Sequence, residues 1–290
     1  MKECICSKFF LDGEFVDCSL FQSDFINQGI SIYEVLLLKR NRLLFVNDHL
    51  QRLELSVKLA DLYGWYTSIE LTGIISRLPV ANKISDGNVK IVYNYRNDKK
   101  QHVLVYFVSP RYPSKSDYQR GVKVLTYPFT RENPNKKMWL PDFRAATDEI
   151  IHREKIWEVL IVNKSNHVTE ASRANFFAIK NGTVYTPPVE SVLAGVTRKH
   201  VMDICREQNI PILEKEIPKN TLGEYDSVFL TSTSSNVLPI VQIDQLTFRV
   251  DDPVVRLIIK EFNDLVEREI EKEGQRDRGT EGQRDRGIEG

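Results

Sequence analysis

Apolar residues recur along this chain with two periods, and the switches between them predict its elements. Two short apolar runs flank Asp12-Gly13, a tight-turn dipeptide, so residues 9 to 24 read as a hairpin. Residues 29–46, GISIYEVLLLKRNRLLFV, give a second strand pair turning at Lys39 to Arg42. In its first strand Ile30, Ile32, Glu34 and Leu36 alternate with Ser31, Tyr33, Val35 and Leu37. Asn47-Asp48 then reads as the cap of a helix whose positions Leu50, Leu53, Val57 and Ala60 keep helical spacing. A further helix over 68–78 leads to two β-rich runs, NVKIVYNYRN and HVLVYFVSP, joined by the charged turn Asn97 to Lys100. This half reads as α+β with an antiparallel sheet.

Residues 109–120, with two prolines and several polar residues, are the expected interdomain linker. Beyond it come the strand VKVLTYPF, the proline-flanked basic loop RENPNKKMWLPD and a helix from about 142 to 155. Val159 to Val162 is a buried strand ending in the turn Asn163 to Asn166, and Thr169-Glu170 opens the next. Gly195-Val196-Thr197 precedes a helical pattern at Val201, Ile204, Cys205 and Gln208. A short apolar strand then runs into five hydroxyl residues, Thr231 to Ser235, and Pro253 to Ile270 forms an amphipathic helix. The pattern therefore divides the chain into a smaller domain (1–108), the linker and a larger domain (121–272). In 273–290 EGQRDRGT is repeated as EGQRDRGI, with no apolar face to bury, so no ordered structure is expected there.

Composition narrows the function classes. Of 290 residues 41% are hydrophobic and 28% charged, as in a soluble globular protein. Forty basic and 40 acidic residues cancel, so no global field favours nucleic acid or an anionic membrane. No run approaches the roughly 18 apolar residues of a membrane span, and MKECICSKFFLDGEF lacks a secretory core, so a cytoplasmic location is expected. Cys4, Cys6, Cys18 and Cys205 lack zinc-ligand pairing and are expected to be free thiols, with no metal site.

Two local patterns carry chemistry. Glu170 at a strand end would face a pocket rather than solvent. Gly195 followed by Thr197 at a helix start offers free backbone N–H groups and a hydroxyl, the equipment for a phosphate. Together they suit a ligand with a proton-bearing ring nitrogen and a phosphoryl group. Pattern alone leaves Tyr33 either core or site, and makes Arg52 a surface residue.

The blocks TEASRANFF, YTPP, LAGVTR and FLTSTSSNVLPI, in that order and spacing, resemble the class IV aminotransferases, pyridoxal-phosphate enzymes of fold type IV. Branched-chain and D-amino-acid aminotransferases and aminodeoxychorismate lyases belong to this group. The similarity covers about residues 9 to 270. It implies a two-domain α+β (α/β) fold, with a smaller N-terminal α/β domain and a larger domain having a β-barrel-like core and flanking helices. It also implies pyridoxal 5′-phosphate as cofactor, an amino acid and a 2-oxo acid as substrates, and a homodimer. By position Lys137 corresponds to the cofactor-linking and proton-shuttling lysine, with Lys136 as the alternative and as a cation able to lower its neighbour's pKa. Glu170 corresponds to the carboxylate at the pyridine nitrogen. Arg52, Val196, Thr197 and Thr233 correspond to the phosphate cup, which reverses the surface reading of Arg52.

Tyr33 corresponds to the tyrosine lining the substrate pocket. Ser172 and Asn175 would support the site, and His49 and His200 read as structural. The sequence departs from the family at Gly29-Ile30-Ser31, at Ala171 and at Leu140-Pro141-Asp142, all on the pocket wall. The 91–107 strand pair lacks the carboxylate-trapping arginine and histidine pattern of the D-amino-acid enzymes, and Arg96 is the available substitute. The expectation is a branched-chain-like aminotransferase. The alternatives are 4-amino-4-deoxychorismate lyase, releasing pyruvate and 4-aminobenzoate, and a non-catalytic cofactor-binding relative.

Overall fold

The computed structural model describes residues 3–96 and 101–284, with side chains to Glu271; the turn Asn97 to Lys100 lies outside the described residues. The first domain contains β1 (Lys8–Leu11), β2 (Glu14–Asp17), α1 (Asp24–Asn27), β3 (Ile30–Lys39), β4 (Arg42–Leu43), α2 (Val46–Leu59), α3 (Ser68–Asn82), β5 (Gly87–Tyr95) and β6 (Gln101–Val108). Its strands form one antiparallel sheet in the order β2-β1-β6-β5-β3-β4. Leu50, Leu53 and Val57 of α2 and Leu71, Ile75 and Leu78 of α3 join the core of that sheet, the helical stripe read from the sequence. Gly29 has φ +75°, and a Cβ there would collide with the carbonyl of Tyr95, so only glycine lets the chain enter β3 here.

The second domain contains α4 (Lys115–Arg120), β7 (Val122–Pro128), α5 (Pro141–Glu154), β8 (Glu158–Val162), β9 (His167–Ala171), β10 (Asn175–Lys180), β11 (Thr183–Thr186), α6 (Val196–Glu207), β12 (Ile212–Glu214), β13 (Ile217–Pro218), β14 (Ser227–Ser232), β15 (Asn236–Ile243), β16 (Leu246–Thr247) and α7 (Pro253–Arg284). Strands β10, β14, β15, β7, β8 and β9 pair in succession, and the Asn175–Glu170 pairing of β10 with β9 closes the ring. Closure abolishes the sheet edges among these six strands and explains why β8, β14 and most of β10 are buried along their length. Helices α6 and α7 pack outside, around Phe177, Phe229, Val201, Ile258 and Phe262. Fold type IV is thereby realised as the smaller α+β domain and the barrel expected for it.

Local structure departs from the sequence pattern in four places. Half of the expected linker is α4, closed by a Ser114/Asp117 capping box and tied to α7 by Arg256, whose guanidinium donates to the carbonyls of Tyr118 and Gln119. Asn47-Asp48 does not cap α2. The helix starts at Val46 after Phe45 in the left-handed region, and Asp48 is instead held by Lys199 and His200 of α6. Cys4 and Cys18 form a disulfide, with Cys6 Sγ 3.5 Å from Cys4 Sγ, because the first hairpin folds the chain start back on Cys18. Finally, α7 continues into the duplicated segment as far as Arg284, through residues rich in the helix-favouring Glu, Gln and Arg. Among the described residues no helix is long and apolar enough to cross a membrane.

Candidate active site

The two domains meet along a short segment of the loop between β7 and α5. Ile32 of β3 and Met138 form an antiparallel bridge. The Tyr33 amide donates to the Lys137 carbonyl (3.1 Å), and the Trp139 amide to the Ser31 carbonyl (2.8 Å). The Lys137 amide donates to Ser56 Oγ of α2 (3.2 Å). Lys137 is thus pinned by its backbone to the first domain although it belongs to the second. Its Nζ lies 4.9 Å from the centre of the Tyr33 ring. Burial pushes the Lys137 amine below the ordinary lysine range; Arg52 and Arg131 add to this, while Tyr33 and Glu34 oppose it. These two arginines are the cations that lower it most.

Glu170, near the end of β9 and almost fully buried, holds two partners. Arg131 Nη1 donates to Oε1 (2.7 Å), and the Leu193 amide donates to Oε2 (3.0 Å). Arg131 Nη2 also donates to the Lys136 carbonyl (3.1 Å), so one guanidinium ties the carboxylate to the lysine segment. Arg131 carried no motif in the sequence, where it is one cation in a basic loop.

One residue beyond Leu193, the Ala194 carbonyl accepts from Arg52 Nη1 (3.3 Å). Arg52 is buried and forks onto Glu34, with Nε to Oε2 at 2.8 Å and Nη2 to Oε1 at 2.6 Å. His49 Nδ1 lies 3.3 Å from the same carboxylate. Burial alone would raise the Glu34 carboxyl, but Arg52 and His49 hold it well below the usual carboxylate range. The patterned face of β3 that includes Ile32 and Leu36 therefore carries a buried anion that fixes the arginine, a partner the sequence did not reveal.

Gly195 caps α6 without a side chain, so the amides of the helix's first turn have no side-chain acceptor. A Cβ at Gly195 would collide with Asn175 Oδ1, whose amide group donates to the Leu193 carbonyl (2.9 Å). Thr197 of α6 and Thr233, after β14, line one small cavity with His49 and Asn236. Leu193 to Thr197 thus passes from the Glu170 contact, through the Arg52 contact, to an uncapped helix start with a hydroxyl beside it. Ser172 lies to one side, donating to Glu158 Oε1 (2.6 Å), and His200 is held by Asp48. The Arg96 guanidinium is bonded to Gln28, the C-cap residue of α1. The cation at the Tyr33 hydroxyl is instead Arg144, from the first turn and a half of α5, with Nη2 donating at 3.1 Å.

A carboxylate fixed by two donors, an arginine, an unsatisfied helix start and a buried amine of lowered pKa suit a phosphorylated pyridine aldehyde. Glu170 uses two of about four acceptor positions, leaving room for a ring N–H. The α6 start, Thr197 and Thr233 offer donors to phosphate oxygens, and the helix dipole favours the anion.

Residues 31–243 match the amino-transferase class IV family, and the chain belongs to it. It is 26% identical over 284 residues to a D-alanine aminotransferase of Staphylococcus haemolyticus, covering 90% of this chain and 98% of that one. The Escherichia coli branched-chain amino acid aminotransferase has the same fold, with a TM-score of 0.80 at 19% identity over 90% of this chain and 95% of that one. The branched-chain aminotransferase of the archaeon Thermoproteus uzoniensis, solved with norvaline, also superposes with a TM-score of 0.80, at 23% identity over 92% and 97% of the two chains. A further branched-chain enzyme, crystallised with pyridoxamine 5′-phosphate, shares the fold at a TM-score of 0.78 and 18% identity, over 90% and 94% of the two chains. Class IV aminotransferases are pyridoxal-phosphate enzymes.

Proposed function

We propose that this chain is a pyridoxal-phosphate-dependent aminotransferase moving an amino group between an amino acid and a 2-oxo acid. The observation that carries this reading is that Glu170 and Arg52 meet successive backbone groups of Leu193 and Ala194 at the start of α6, while Arg131 ties Glu170 to the Lys136 carbonyl next to Lys137. When bound, the cofactor supplies an electron sink for the pair of electrons left at the substrate α-carbon.

The protein's own groups do the rest. Lys137 Nζ would hold the cofactor, and its amine is the group placed to move a proton to and from the substrate α-carbon. Its burial beside Arg52 and Arg131 favours the neutral amine this task requires. Glu170, oriented by Arg131 and the Leu193 amide, would accept a pyridine N–H and keep the ring protonated. Arg52 is held by Glu34 so that its remaining N–H groups are presented without rotamer freedom, alongside the Val196 and Thr197 amides and the Thr197 and Thr233 hydroxyls. Tyr33 walls the substrate side. The family resemblance carries a homodimer with it, checked by light scattering.

The relative named D-alanine aminotransferase makes D-alanine the first donor to try, with L-branched-chain amino acids beside it and 2-oxoglutarate and pyruvate as acceptors. Amino transfer from any of them supports the reading. Pyruvate release from 4-amino-4-deoxychorismate without amino transfer would replace it by the lyase, and tight cofactor binding without turnover on either panel by a non-catalytic relative.

A further inference from the structure

We infer that Arg144 is the receptor for the substrate's carboxylate and thereby restricts the substrate to amino acids and 2-oxo acids rather than simple amines. The inference rests on the aminotransferase reading and deepens it.

Arg144 stands on α5 with Nη2 on the Tyr33 hydroxyl (3.1 Å), while Nη1 is buried with no hydrogen-bond acceptor among the described residues. A buried, charged N–H without a partner costs stability, and an acceptor delivered by a ligand removes that cost. The lining is cationic and aromatic. Trp139 packs edge-on against Tyr33 with ring centres 5.7 Å apart. The Arg144 guanidinium lies 6.0 Å from the Trp139 ring centre, and Lys90 Nζ 3.8 Å from it.

Lys137 Nζ lies over the Tyr33 ring, whereas Arg144 sits at its hydroxyl tip. The reacting amine and the arginine therefore lie at different parts of one phenol. Lys90 is already neutralised by Glu3 (2.7 Å), so Arg144 is the member of the group with an N–H to offer an incoming anion. A guanidinium with one free nitrogen and one on the Tyr33 oxygen can donate two parallel hydrogen bonds to a planar carboxylate, and does so better than a lysine would. A neutral alkyl group in the same place would leave Nη1 unpaired.

The test uses cofactor-loaded protein and two probes with the same aminooxy group, aminooxyacetate and methoxyamine, of which only the first carries a carboxylate. Both form a C=N bond at the cofactor's carbonyl carbon and release the lysine amine bonded there, and the absorbance change gives each rate. The wild type should prefer aminooxyacetate. Arg144→Met should lower that preference by about 10- to 100-fold, the cost of losing a charged hydrogen bond, entirely through aminooxyacetate. Arg144→Lys should recover part of it, and Arg153→Met, an exposed change on the same helix, should leave it untouched. A preference within about twofold of wild type in Arg144→Met overturns the assignment. An equal loss for both probes, or the same loss in Arg153→Met, also overturns it, since the arginine would then act on the fold. A wild type that reacts with neither probe instead removes the cofactor reading on which the assignment stands.

Discussion

Replacing Glu34 by Gln changes one oxygen to an NH2 group in a site with no room for error. Glu34 is completely buried, and its two oxygens accept Arg52 Nε, Arg52 Nη2 and the Val35 amide, with His49 Nδ1 close by. Glutamine fits the volume but can offer one oxygen only, and its amide hydrogens must face an arginine. Arg52 remains charged and buried without its counter-ion. Breaking a buried pair from one side costs about 3–5 kcal/mol, much of it the stranded charge. For a chain of this size that is a fall in melting temperature of about 6–20 °C.

The pH dependence has a defined sign. The Glu34 carboxyl is held below its ordinary 4.5, so its contribution is complete above that value and disappears as pH falls through the lowered one. The stability difference between wild type and Glu34→Gln should be flat above about pH 5 and shrink only in acid. Inorganic phosphate or pyridoxal phosphate should raise the melting temperature of the variant more than that of the wild type, because a bound dianion replaces the missing charge at Arg52. Differential scanning calorimetry with and without phosphate measures all three. A variant melting within about 2 °C of wild type, a shift below what a stranded buried charge costs, would refute the argument that Glu34 balances Arg52.

Three further outcomes follow from the same geometry. Gly195→Ala should destabilise the protein by about 1–3 kcal/mol, the range for overpacking, and weaken phosphate binding, because the new methyl collides with Asn175 Oδ1; Asn175→Ala in the same chain should recover much of the stability. In cofactor-free protein the Tyr33 hydroxyl is opposed by burial but lowered to about 6 by Arg144, Lys137, Lys90 and Arg131. Tyrosinate absorbance should therefore appear near pH 6 and vanish in Tyr33→Phe, well clear of Tyr93, which burial pushes up to about 12. Because its folded pKa lies below the unfolded 10, Tyr33 should add stability increasingly from about pH 6 to 10, seen as a widening gap over Tyr33→Phe in urea titrations.

The elements were legible where their signal is local. Alternation in 30–39, the Asp12-Gly13 turn and the α2 stripe all lie within a few residues, and strands and helix formed accordingly. The barrel came with the resemblance and not from any pattern, since the Asn175–Glu170 pairing that closes it has no counterpart in residue periodicity. The site divided in the same way. Glu170 and Gly195 to Thr197 stand in short motifs, whereas the partners that orient them come from far along the chain. Arg131 lies 39 residues before Glu170, and Arg52 lies 142 before the Ala194 carbonyl it contacts.

Glu34 stands in the strand alternation without a signal of its own, and Asp48 reads as a helix cap, because nothing nearby shows Arg52 folding onto one or α6 docking on the other. Arg96 reads as the available pocket cation because it follows the 91–95 strand run, whereas Arg144 stands in a helix with no pocket signal of its own. The β3–Met138 bridge, which brings the loop and α5 over Tyr33, is a tertiary event.

The central claim is that one buried amine, Lys137, carries the cofactor. Purified protein loaded with pyridoxal phosphate, reduced with borohydride, digested and mapped by mass spectrometry tests it directly. The predicted result is a single phosphopyridoxyl label on Lys137, absent from Lys137→Ala. A label on Lys136 or any other lysine of the native protein, or none at all, would contradict it.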